Sequence, residues 1–391
     1  MAANQGPAKT CNNNGHEDEK EDPFENDISA TNAVQLGFLV HDPIEPLPIL
    51  KSNIDDFPNK VGGRPIWLNP NEPLSASQVE CDQCHQPMAL VVQLYTPEDD
   101  IPESFHRVVY LFCCKDGACH KNSPSKSFKL FRSQLPQENA VYSVDGVLLQ
   151  SSNTNYCHLC GLKGSLKCSA CKNVYYCSKE HSVLDWQIGG HKEHCGNSIS
   201  DDQIAIVRAK AIFPEFELQE EDEMEFELPA TVTDSLVLEE PSELEILEDD
   251  TEVEVDSTFL KFQKRISIAP EQVIRYSRVP GVSKDSTVEP LLVSDLPLDK
   301  DSQSICPYCK SQRTFEFQIM PQLLDSFEID HSDWNALDWG TVFLYTCSAH
   351  CQPKNTRYVQ EAVVVQNFSQ AGLGDSVKKS LREKAAQSKK Q

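Results

Sequence analysis

The chain has 391 residues, a net charge of −25 and 16 cysteines. That length is enough for two or three domains. No run of about 18 apolar residues is present, which excludes a membrane-spanning helix of ordinary length. The acidic balance disfavours nucleic acid as a direct partner and favours basic ones.

The N-terminal stretch contains Asn12, Asn13, Asn14 and then acids, with little to bury, so residues 1–33 read as a disordered acidic tail. It lacks the apolar segment of a secretory signal. The expectation is a reducing compartment, cytoplasm and nucleus, where cysteines in short-spaced pairs serve metal rather than disulfides.

Order is expected to begin near Val34. The sequence Gly62-Gly63-Arg64-Pro65-Ile66-Trp67 reads as a tight turn leading into an aromatic anchor. No Lys-Ser/Thr follows at phosphate-loop spacing. Next come Cys81-Asp-Gln-Cys84 and two strand candidates, Met88–Tyr95 and Arg107–Phe112. The second runs into Cys113, Cys114 and Cys119. Two strands bracketed by cysteine pairs describe a zinc-ribbon-like staple with ligands Cys81, Cys84, Cys114 and Cys119; Cys113 is the alternative to Cys114. His120 reads as a solvent-exposed histidine.

Between residues 157 and 195 stand eight metal ligands in four short-spaced pairs: Cys157 and Cys160, Cys168 and Cys171, Cys177 and His181, His191 and Cys195. Zinc takes four such ligands at tetrahedral corners, so eight make two ions. A segment this short draws its folding energy from the metal. Spacing permits a sequential or an interleaved assignment. His158 and His194 are expected to be non-ligands, and Trp186 reads first as a small core residue of the finger.

Residues Ile204–Ile212 read as a short helix. From Glu215 to Asp256 stand 19 acidic residues with no Lys, Arg or His, interspersed with apolar residues, which is expected to be a flexible insert. Order is expected to return near Phe259, and Pro270–Arg278 reads as a short helix with proline at its start.

Cys306-Pro-Tyr-Cys309 then repeats the earlier pattern. Phe317-Gln-Ile-Met follows it as Val92-Gln-Leu-Tyr follows Cys81–Cys84, and Val342-Phe-Leu-Tyr-Thr-Cys347 to Cys351 closes the unit. The reading is an internal duplication, with ligands Cys306, Cys309, Cys347 and Cys351 in the second copy. Four-cysteine sites with no open position are structural. The Lys-rich C-terminus reads as a basic tail.

Tyr176-Cys177-Ser, Trp186 and His191-Lys…Cys195 resemble the MYND class of zinc finger, with His181 where most such fingers place cysteine. That resemblance implies interleaving: Cys157, Cys160, Cys177 and His181 around one ion, Cys168, Cys171, His191 and Cys195 around the other. Val61–Leu68 before Cys81, Phe131–Pro136 before the finger, Pro270–Tyr276 and Trp339–Cys347 together resemble the programmed cell death protein 2 family. This likeness covers about residues 34 to 368. It implies a chaperone that escorts a newly made basic small-subunit ribosomal protein, of the S-five class, to 40S assembly. MYND fingers elsewhere bind Pro-containing peptides of transcriptional co-repressors, which here would use Trp186 and Gln187. No nucleophile elbow, Walker loop or HExxH is present, so no enzyme is expected.

The expected fold class is α+β and β-rich: two zinc-stapled β half-domains that pair into one body, an inserted MYND-type finger and an acidic disordered insert. The expected domains are a tail over 1–33, a half-domain over 34–150, the finger over 151–197, the acidic insert over 198–257, a second half-domain over 258–368 and a basic tail over 369–391. Two zinc ions are expected in the finger and one in each half-domain.

Overall fold

The computed structural model describes residues 34–41, 47–48, 50–121, 123–150, 153–197, 201–223, 257–277, 289–298, 305–329, 333 and 335–368. The expected tails over 1–33 and 369–391, and 224–256 of the expected acidic insert, lie outside the described residues.

In chain order the strands are β1 (Gln35–Val40), β2 (Lys60–Val61), β3 (Ala89–Tyr95), β4 (His106–Cys113), β5 (Phe128–Leu135), β6 (Leu166–Lys167), β7 (Tyr175–Tyr176), β8 (Phe216–Asp222), β9 (Ile274–Tyr276), β10 (Arg313–Ile319), β11 (Thr341–Cys347) and β12 (Tyr358–Gln366). The helices are α1 (Lys179–Gln187), α2 (Asp201–Ala211) and α3 (Ser257–Ile266).

All strands but β6 and β7 form one closed barrel, in the order β1-β8-β2-β3-β4-β5-β12-β11-β10-β9 and back to β1. Each neighbouring pair is antiparallel. The strands β2 to β5 follow one another around the wall, as do β9 to β12. β1 and β8 complete the ring between the two runs: β1 pairs with β8 and β9, and β8 also pairs with β2. Closure leaves no open edge.

Strand composition follows from burial on both faces. β4 is buried at every position, so it reads as a nearly continuous apolar run rather than an alternating one. Its inward residues Val109, Leu111 and Cys113 join Leu130, Phe317, Ile319, Val342, Leu344 and Val363 in the barrel core. Its outward residues Val108, Tyr110 and Phe112 enter a second cluster with Trp67 and the finger. α3 places Phe259, Phe262 and Ile266 on one stripe, packed against Leu291, Val293 and Met320.

Two expectations are corrected here. Residues 274–276, read as helical, are strand β9. Three residues paired on both sides by β1 and β10 are enough to close the barrel, and tertiary pairing outweighs the helix start at Pro270. The short helix expected over Ile204–Ile212 is α2, but residues 216–222, read as part of the flexible acidic stretch, form strand β8. β8 turns Leu218 into the core while Glu217 and Gln219 face solvent, so a strand this acidic joins the barrel with Phe216 and Leu218 as its only apolar residues.

Polar groups fill part of the interior. Arg107 holds Glu316 in a two-point contact at 2.6 and 2.8 Å, and Arg132 holds Glu361 at 2.8 Å; all four are buried. Both pairs join a residue of β4 or β5 to one of β10 or β12.

Candidate metal centres

Four Cys-x-x-Cys turns share one backbone design. The first cysteine's N–H donates to a carbonyl beyond the turn: Cys81 to Gln86, Cys157 to Leu162, Cys168 to Val174 and Cys306 to Ser311, all at 2.7–2.9 Å. The residue after the second cysteine adopts a left-handed conformation: His85, Gly161, Lys172 and Lys310, with φ between 58° and 75°. Three of these are not glycine, so the turn carries strain that a bound ion can offset. Both cysteine side chains and the following N–H groups then point into one concavity.

Other segments complete each concavity. The hairpins β3–β4 and β10–β11 bring Cys114 and Cys119 to the first turn and Cys347 and Cys351 to the last. In the finger, Ser178 caps helix α1 by accepting from the His181 N–H, which sets the histidine one turn into the helix.

The result is four groups whose ligand atoms lie within 4.8 Å of one another: Cys81, Cys84, Cys114 and Cys119; Cys157, Cys160, Cys177 and His181; Cys168, Cys171, His191 and Cys195; Cys306, Cys309, Cys347 and Cys351. The two finger groups interleave along the chain. Sγ–Sγ separations are 3.6 Å for Cys84–Cys114, 3.5 Å for Cys160–Cys177, 3.8 Å for Cys168–Cys195 and 3.4 Å for Cys309–Cys347. A tetrahedral ion with sulfur ligands at about 2.3 Å has edges of about 3.8 Å. His181 presents Nδ1, 3.2 Å from Cys177, and His191 presents Nε2, 3.4 Å from Cys168. This donor set and spacing fit zinc. In two of the turns a donor lowers a thiol: the Asn173 N–H draws Cys171 down to about 6, and the Ser311 hydroxyl draws Cys309 to about 6.

Cys113 points into the barrel, where burial pushes its thiol well up and keeps it inert. His120, expected to be exposed, is buried. Its Nε2 bonds the Cys114 carbonyl at 2.9 Å, and its ring packs edge-on against Phe128. The tight turn of Gly117–His120 folds the ring back under the metal loop, a placement that only the tertiary fold sets. His158 is not in a ligand group: its Nδ1 lies 3.2 Å from Asp185, which also accepts from Tyr176 at 2.7 Å. His194 is likewise outside the groups. Trp186, expected in the finger core, is 39% exposed, with its ring centroid 5.8 Å from that of His191. A helix this short has one buried stripe, and His181 and Asp185 occupy it.

The finger is fixed to the barrel. Trp67 Nε1 donates to the Gly161 carbonyl at 3.0 Å, Lys163 N–H to Leu74 at 2.9 Å, and Arg208 to the His158 carbonyl at 3.2 Å. The Gly62-Gly63 turn seats the segment that follows α2. Both residues have positive φ, and a Cβ on Gly62 would fall 1.8 Å from the Pro214 carbonyl oxygen. Lys115, in the first metal loop, donates to the Ala209 and Ile212 carbonyls at the end of α2. Sequence reasoning missed this lysine because its partners are about a hundred residues away.

Family models match residues 33–147 as the N-terminal domain of programmed cell death protein 2, residues 256–367 as its C-terminal putative domain, and residues 157–195 as a MYND finger. Programmed cell death protein 2 of Mus musculus is 34% identical over 362 residues, covering 87% of this chain and 98% of its own. Programmed cell death protein 2-like of Mus musculus is 28% identical over 343 residues, 78% of this chain and 89% of its own. A 101-residue stretch is 33% identical to probable 20S rRNA accumulation protein 4 of Schizosaccharomyces pombe, 25% of this chain and 24% of that one. No solved structure matches the chain. Among the described residues no helix is long and apolar enough to cross a membrane.

Proposed function

We propose that this chain, which belongs to the programmed cell death protein 2 family, is a carrier for a newly made basic small-subunit ribosomal protein of the S-five class. It delivers that protein to 40S assembly, has no enzymatic activity of its own, and works in cytoplasm and nucleus. The observation that carries this is the similarity to a protein named for 20S rRNA accumulation, joined to a net charge of −25. An acidic carrier neutralises a basic client and shields it from non-specific RNA until rRNA phosphates compete for it.

The sixteen residues of the four ligand groups hold four zinc ions, two in the finger and one at each of the barrel's stapled hairpins. These ions are structural: each group supplies four protein ligands and leaves no position for a substrate. The barrel is two copies of one zinc-stapled unit.

The direct test is purification of the tagged full chain from cells at low salt, with identification of bound proteins and a metal count. One dominant basic small-subunit ribosomal protein and about four zinc ions are expected. A preparation free of ribosomal protein would overturn the carrier assignment. The exposure of Trp186 supports a second role for the finger, as an adaptor for co-repressor peptides through Trp186 and Gln187. Gln187→Ala with zinc retained separates the two, since it should abolish peptide binding and spare ribosomal-protein capture.

A further inference from the structure

One short hairpin presents apolar side chains to solvent in a way the fold does not require. Within six residues Val144 is 91% exposed, Val147 50% and Leu149 53%. Single exposed aliphatic residues are common, but a cluster on a rigid projection marks a contact surface.

The hairpin is preformed. Ser143 N–H bonds the Val147 carbonyl at 2.8 Å, and Leu149 N–H bonds Val141 at 2.9 Å. Its far side is pinned to the preceding loop by Ile54 N–H to Gly146 and Leu148 N–H to Ser52, both 2.9 Å. Gly146 has φ +75°, and a Cβ there would lie 2.6 Å from Asn53 Oδ1, so this close seat needs glycine. Alternation then decides the faces. Tyr142 is buried and Leu148 packs against the core, which turns Val147 and Leu149 outward, with Val144 at the tip.

Acids surround the projection. Asp145 is on the hairpin, Asp55 and Asp56 are on the loop that pins it, and all three are exposed. The hairpin's Tyr142 ring lies 6.3 Å from His106, whose Nδ1 bonds the Tyr95 hydroxyl at 2.8 Å. Burial, then Asp55 and Asp99, push that Tyr95 hydroxyl up to about 12. Lys51, half-buried, is the cation on the pinning loop.

We propose that the Val141–Leu149 hairpin with Asp55, Asp56 and Asp145 is the docking surface for a basic, aliphatic-bearing segment of the carried ribosomal protein. This rests on the carrier role proposed above. Aliphatic contacts at the tip supply affinity, and the aspartates supply attraction and exclude acidic partners.

The test uses the full chain expressed in cells with a photo-crosslinking benzoylphenylalanine at position 144, and separately a Val144→Ser, Val147→Ser, Leu149→Ser variant. A crosslink to the ribosomal protein is expected. The triple variant should co-purify at least tenfold less of it while keeping the wild-type zinc content. An Asp55→Asn, Asp56→Asn, Asp145→Asn variant should flatten the salt dependence of capture. Wild-type capture by the triple variant, or a crosslink to a second copy of this chain instead of the client, would overturn the docking surface and leave the carrier role standing. Absence of ribosomal protein from the wild-type preparation would overturn the carrier role, and the docking surface with it.

Discussion

Gln93 on β3 and Gln318 on β10 each stand nine residues past the second cysteine of a Cys-x-x-Cys turn, and each clamps a segment that crosses the barrel wall. Gln93 accepts from the Ile66 N–H at 2.8 Å and donates to the Pro58 carbonyl at 3.1 Å. Gln318 accepts from the Leu291 N–H at 2.9 Å and donates to the Leu291 carbonyl and the Thr341 hydroxyl at 3.1 Å. Both side chains are buried, so each amide does for its neighbour what a strand partner would otherwise do.

Replacing Gln93 by leucine leaves a buried N–H without this acceptor, and replacing Gln318 does the same to a partly buried one. Gln93→Leu and Gln318→Leu are each expected to cost about 1–3 kcal/mol. Urea unfolding of the zinc-loaded chain measures this. Because the two sites share no partner, the double variant should show the sum of the two losses.

Arg107 and Glu316 form the clearest buried pair, and Thr346 donates to the same carboxylate. Arg107→Met strands a buried negative charge and should cost about 3–5 kcal/mol. Adding Glu316→Gln removes that charge and should recover a good part of the loss. A double variant no more stable than Arg107→Met would show that the arginine acts through packing and not through charge.

Glu223, 3% exposed, receives Arg275 at 2.7 Å and also Arg265. Burial alone would raise its carboxyl, but the two guanidinium groups outweigh burial and hold it below the ordinary 4.5. A depressed carboxylate stabilises the fold fully above the unfolded value and loses that contribution as pH falls through the folded one. The stability gap between wild type and Glu223→Gln should therefore be constant from about pH 7.5 to 5.5 and shrink below about 4.5. A gap that widens on acidification would contradict the assignment.

Metal removal should be separable by site. Cys84→Ser and Cys309→Ser are each expected to lower the zinc count of the purified chain by about one, because each group is closed and complete in itself. Cys113→Ser should leave the count unchanged, since that thiol faces the barrel core. Elemental analysis of the purified variants decides this. A loss of zinc in Cys113→Ser with the ion retained in Cys114→Ser would exchange the two assignments.

The local features were readable from the residues themselves. A Cys-x-x-Cys turn encodes its own geometry within a few residues, so the ligand pairs, the strands beside them and the glycine turn before Trp67 follow from spacing. The repeated order of Cys-x-x-Cys turn, strand and closing cysteine pair was visible at Cys81–Cys119 and again at Cys306–Cys351. Other features escaped because their determinants are distant. His120 is buried by a fold-back against Phe128, and β9 is a strand because β1 and β10 hold it from both sides. In the acidic stretch, the charge on Glu217 and Glu221 hides the alternation that makes 216–222 a strand.

By itself, the sequence determined which cysteines and histidines stand in ligand-spaced pairs and the turns that hold them, since that spacing is a property of neighbouring residues. Only the tertiary structure decided that β1 pairs with β8 and β9, that one closed barrel results, and that the finger is fixed to its outer wall. Those pairings join residues far apart in the chain, such as Gly37 with Ile274, through backbone hydrogen bonds that no side-chain pattern specifies.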